Sequence, residues 1–112
     1  MTTYYQPALV GEALVGNGQF TTPVTAAQVQ TGQLIKGAPG RLCRVLVTTT
    51  TTAAQAITIY DNATTGSGTV IGLIPGATAA GTVIDFEMPA TNGIYVGTNA
   101  SLAAGGITIS WV

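Results

Sequence analysis

Between Arg41 and Val112 apolar and polar positions alternate in short runs, separated by Gly, Pro, Asn and Ala-Gly punctuation. Period two places alternate side chains on opposite faces of an extended chain, so these runs predict strands. "RLCRVLVTTT", Arg41 to Thr50, sets Cys43, Val45 and Val47 on one face and Leu42, Arg44 and Leu46 on the other; both read as mostly covered, which suits a central strand. "AITIYD" alternates Ile57 and Ile59 with Thr58 and Tyr60, and "TVIGLI", Thr69 to Ile74, stops at Pro75-Gly76. "GTVIDFEM" opposes Ile84, Phe86 and Met88 to Val83, Asp85 and Glu87, the cleanest alternation in the chain. "NGIYVGT" turns Ile94 and Val96 inward against Tyr95, and "GITISWV" opposes Ile107, Ile109 and Trp111 to Thr108, Ser110 and Val112. A weaker run, "QLIK", precedes Arg41.

Six or seven strands at regular spacing, with no helical pattern between them, predict an all-β fold. The expected architecture is an antiparallel β-sandwich, in jelly-roll or immunoglobulin-like order, over residues 29–112. Thr and Gly, both weak helix formers, argue against helices throughout. Residues 1–28 lack a sustained period and read as an extended N-terminal arm. Within it Tyr4, Tyr5, Leu9, Val10, Leu14, Val15 and Phe20 are the candidate contacts. Seven large apolar residues and one charge, Glu12, favour docking on a neighbouring subunit or another protein.

Charge changes the picture most. Of 112 residues 46% are hydrophobic, as in other globular chains, but only 6% are charged, against about 25% in a typical soluble domain. The charges are Glu12, Lys36, Arg41, Arg44, Asp61, Asp85 and Glu87, for a net of -1. Three basic residues are too few for the several phosphate contacts that non-specific nucleic-acid binding requires. No run approaches the ~20 apolar residues of a membrane helix. The first twenty residues lack a basic start and a long apolar stretch, so the expectation is synthesis in a bacterial-type cytoplasm without a cleaved export signal. A neutral sandwich still has edge strands, which proteins usually blunt with charge. Self-assembly or a partner is the economical cover, and threonine hydroxyls suit such a contact because they bond without desolvating a charge.

Candidate chemistry is sparse. There is no histidine, so Ser-His, Cys-His and imidazole-metal arrangements are absent, and no cofactor is expected. The single Cys43 lies in a strong strand pattern and reads as a core residue. Asp85 and Glu87 sit two apart on one strand face, where a solvated surface explains them better than a catalytic pair. Asp61-Asn62 has too few oxygen neighbours in sequence for calcium and reads as a turn. "GSGTVIG", Gly66 to Gly72, leads into a strand rather than a helix, so a hairpin turn is expected and not a phosphate loop. "NAT" at Asn62 and "NAS" at Asn99 are taken as turn chemistry. An enzyme is not expected.

"GRLCRVLVTTTTTAAQAITIYDNATTGSGTVIGLIP", then "IDFEMPATNGIYV" and the closing "GITISWV", resemble small virion proteins of tailed bacteriophages, over about Lys36 to Val112. The resemblance implies a decoration or cement protein on the outer capsid surface of a virion, bound to the major capsid protein and clamping neighbouring capsomers, commonly as a homotrimer at threefold positions. A tail or head-fibre module binding a receptor or carbohydrate is the alternative. For that reading Tyr60 and Tyr95 are the exposed-aromatic candidates, with Trp111 expected in the core.

Overall fold

The computed structural model describes residues 20–97, 99–100 and 102–112. In chain order the elements are β1 (Phe20–Val24), α1 (Ala26–Thr31), β2 (Gln33–Lys36), β3 (Gly40–Thr49), β4 (Ile57–Asp61), β5 (Thr69–Ile74), β6 (Val83–Ala90), β7 (Ile94–Val96) and β8 (Gly106–Trp111). Two antiparallel four-stranded sheets result: sheet A in the order β1-β8-β3-β6, sheet B in the order β2-β7-β4-β5. The pairs β1 with β8, β2 with β7, β3 with β6 and β4 with β5 describe one long hairpin whose halves run side by side. Further pairs of β8 with β3 and of β7 with β4 roll that hairpin into two layers. The fold is all-β, as the alternation predicts.

The core lies between the layers. Sheet A contributes Leu42, Val45, Val47, Ile107 and Ile109; sheet B contributes Ile57, Ile59, Ile74, Ile94 and Val96; all are at most 1% exposed. Ile and Val dominate because a branched side chain fits the pleated surface and buries about 1.5–3 kcal/mol of transfer free energy each. β3 departs from the expectation of two covered faces: Arg44 and Leu46 reach the surface, since sheet A has its core on one side only. Leu42 and Cys43 are nevertheless consecutive and both buried, because the register shifts there against both neighbours. Two residues of β6, Phe86 and Glu87, oppose the single Cys43, and Glu87 takes a left-handed φ of 50°. This bulge breaks the alternation of β6, and Met88, expected to share a face with Ile84 and Phe86, is 39% exposed.

Of residues 1–28, read as an arm, Phe20–Val24 is β1 in sheet A, and residues 26–28 open α1. Pro23 masks that strand in the sequence, yet it is tolerated because β1 is a sheet edge. Residues 1–19, with Tyr4, Tyr5, Leu9, Val10, Leu14 and Val15, lie outside the described residues. Phe20 stacks at 5.0 Å from the Trp111 ring and pairs with Trp111 in register. Trp111 packs on the core, donates its indole N–H to Thr22 Oγ1 at 2.9 Å, and has the Lys36 ammonium 5.8 Å from its ring centre. The helix α1, unexpected from composition, is a six-residue plug. Thr25 and Gln28 form a reciprocal capping box, and Val29, fully buried, is its anchor. The Val29 carbonyl accepts from Asn99 N–H, tying the plug to the β7–β8 connection.

The run Thr48 to Thr52 leaves the end of β3 and does more than meet solvent. Thr51, 3% exposed, donates its hydroxyl to Pro75 O at 2.9 Å and accepts from Thr78 N–H at 2.8 Å. Thr52 Oγ1 accepts from Ala104 N–H at 2.7 Å, and Thr50 Oγ1 from Ala80 N–H at 3.1 Å. Successive threonines thus stitch the β5–β6 and β7–β8 connections to one end of the sandwich without a charge.

Candidate interaction surface

Cys43, Asp61, Asn62, Asp85 and Glu87 are the candidates for chemistry among the described residues. Among them no group of three or more His, Cys, Asp or Glu is placed to hold a metal ion. Cys43 is buried, and burial, with a smaller push from Glu87, raises its thiol above the ordinary value, which disfavours the nucleophilic thiolate. Asp85 Oδ1 lies 3.0 Å from Arg44 Nε in an exposed pair, while Glu87 sits in the bulge, so the two carboxylates do not converge on a cleft.

Asp61 and Asn62 serve two different turns. Asn62 Oδ1 accepts from the N–H groups of Thr64 and Thr65, and its amide donates to Ser67 O, which shapes the β4–β5 hairpin read from "GSGTVIG". The Asp61 carboxylate reaches across to the β6–β7 turn. It accepts from the Thr91 hydroxyl and from the backbone N–H groups of Thr91, Asn92 and Gly93. These bonds, the Thr91 hydroxyl first, hold its pKa down at about 2.

The outer face of sheet B brings aromatic and aliphatic side chains together. Ile57, Ile59, Ile94 and Val96 point into the core, so the alternate residues Tyr60 and Tyr95 point away from it. Register then builds a row: Leu34 lies opposite Tyr95, Tyr95 opposite Tyr60, and Tyr60 opposite Val70. The row crosses all four strands, and Leu73, opposite Thr58, extends it along β5. Leu34, Val70 and Leu73 are 43%, 48% and 50% exposed, and both tyrosines are half-buried.

Two glycines seat the rings. A side chain at Gly97 would collide with the Tyr60 ring, and a Cβ at Gly32 would stand 2.6 Å from Tyr95 Oη. Each ring therefore lies over a glycine and occupies space that a larger side chain there would contest. No side chain of the row carries a formal charge. The outer face of sheet A differs: its apolar pair Leu46 and Val83 lies beside the Arg44–Asp85 ion pair.

Sequence alternation put Tyr60 and Tyr95 on outward positions; it did not bring them together. Their adjacency depends on β4 pairing with β7, thirty-odd residues apart, and no local pattern signals that register. Trp111, the third aromatic weighed, belongs to sheet A and is separate from this face. No protein-family model matches the chain, and neither a characterised protein nor a solved structure matches it.

Proposed function

We propose that this protein is a non-enzymatic binding module of jelly-roll topology that docks on another protein through the outer face of sheet B. In the setting implied by the phage resemblance that surface is the outside of a capsid, and the protein acts as a decoration or cement subunit. The orders β1-β8-β3-β6 and β2-β7-β4-β5 are those of an eight-stranded double Greek key, an architecture used by viral capsid and lectin domains. Fold alone does not assign function. The observation that carries the reading is the row Leu34–Tyr95–Tyr60–Val70: contiguous, without formal charge, and centred on two adjacent tyrosines. Tyrosine with aliphatic neighbours and no charge is the composition of an interface centre.

A carbohydrate-binding module is the second reading, favoured by the neighbouring Tyr60 and Tyr95. Sugar recognition wants polar side chains beside the rings to fix the hydroxyls; here the ends of the row are Leu34 and Val70, which supports a protein partner. The test is co-sedimentation with empty shells of the coat protein encoded by the same genome. The chain is expected to pellet with the shells, and Leu34→Glu to lose most of that binding while keeping its strand content. A chain left in the supernatant, or a variant that binds as well as the parent, overturns the reading. Retention on a glycan surface instead moves the assignment to the second.

A further inference from the structure

The sheet margins are β1 and β6 in sheet A, and β2 and β5 in sheet B. An edge strand offers unpaired N–H and C=O groups to any strand that can lie beside it, and proteins blunt such edges with proline, charge or brevity. β1 carries Pro23. β2 has four residues and ends in Lys36. β6 carries Asp85, the left-handed Glu87 and Pro89. β5 has six residues, TVIGLI, with neither charge nor proline. Its one irregularity is an extra residue, Ile71, relative to β4; Ile71 and Gly72 are both buried, leaving Val70 and Leu73 on the outer side.

We propose that β5 is a self-association edge, through which two copies of this chain pair β5 to β5, antiparallel, about a two-fold axis. A symmetric contact sets each residue's surroundings against a copy of themselves. Any charge in such a strand would be brought close to its own sign; β5 brings none, and unlike the equally uncharged β1 it carries no proline. With the axis between Ile71 and Gly72, Val70 of one copy lies opposite Leu73 of the other, so two exposed apolar pairs are covered. The row Leu34–Tyr95–Tyr60–Val70 then runs on into the second copy, as one face of an eight-stranded sheet. Backbone bonds supply the attraction and the lack of charge removes the usual penalty.

This pair needs no capsid, and it differs from the threefold cluster that the resemblance implies. Native mass by light scattering, across a dilution series of the full chain, separates the two. Twice the chain mass of 11.2 kDa is expected. Leu73→Lys places an edge lysine in the contact and is expected to weaken the dimer roughly tenfold or more. The double variant Val70→Glu/Leu73→Lys sets opposite charges across both positions and is expected to restore it. A native monomer or trimer, a Leu73→Lys dimer as tight as the parent, or a double variant no tighter than the single one overturns the proposal. Should Leu73→Lys lose its strand signal in circular dichroism, hydrogen exchange of the unmodified chain decides. Protection of β5 amides that falls on dilution supports the pair, and concentration-independent exchange overturns it. A trimer that still pellets with shells would refute this edge and leave the capsid reading standing.

Discussion

Asp61 shows how much a single carboxylate does in a chain with so few. It lies at the end of β4, yet its acceptor oxygens hold the turn between β6 and β7 through the Thr91 hydroxyl and three successive N–H groups. Its folded pKa of about 2 is below the ordinary carboxylate value of 3.8, so the native state favours the ionised form. The stability it contributes is complete above pH about 4 and is lost as pH falls through the window towards about 2. Asp61→Asn should therefore lower unfolding free energy at neutral pH by about 1 kcal/mol, the usual hydrogen-bond contribution, because solvent screens the partly exposed carboxylate. It should also flatten the acid limb of a stability profile measured by denaturant unfolding between pH 2 and 7. An acid limb as steep in the variant as in the parent would assign the sensitivity elsewhere. Thr51 makes the complementary point without charge: its hydroxyl both donates and accepts in a site 3% exposed.

Among the elements, the six-residue helix owes most to a few atoms. An isolated helix so short does not hold itself together in water. It persists here on the capping box of Thr25 and Gln28 and on the buried Val29. Thr25→Ala removes the acceptor for Gln28 N–H and should lower unfolding free energy by about 1 kcal/mol, read by urea titration. The strands were legible where alternation was uninterrupted: Ile57 with Ile59, and Ile107 with Ile109, face the core as their spacing predicts. Pro23 concealed β1, and the bulge at Cys43 arises from pairing across two neighbours, so neither is encoded in its own run of residues. The candidate surface was half legible for the same reason. Outward tyrosines follow from period two, but the juxtaposition of Tyr60 with Tyr95 comes from a non-local register.

At the scale of the whole molecule, electrostatics is nearly switched off. One ion pair is present among the described residues, Arg44 with Asp85, and both side chains are largely exposed, so it contributes about 0–1 kcal/mol. Raising ionic strength from about 10 mM to about 1 M shortens the screening length from about 30 Å to about 3 Å. Unfolding free energy measured at constant pH is expected to change by less than about 1 kcal/mol across that range. A steep fall between low and moderate salt would show that some unrecognised set of charges holds the fold. The same neutrality leaves backbone pairing and apolar contact as the means by which copies or partners meet.

The chain has one tryptophan, Trp111, and its placement supplies an optical reporter of a particular kind. Its indole is stacked with Phe20, bonded to Thr22 and overlain by Lys36, where β1 closes against β8. Its fluorescence therefore reads the seating of β1, the strand that follows directly on residues 1–19. Occupation of the tyrosine row or of the β5 edge alters surroundings in which Trp111 takes no part. In a variant with Tyr4 and Tyr5 replaced by phenylalanine, a binding event that leaves tryptophan emission unchanged but alters tyrosine emission has occurred on sheet B, and one that shifts the tryptophan spectrum has reached the other margin of the sandwich.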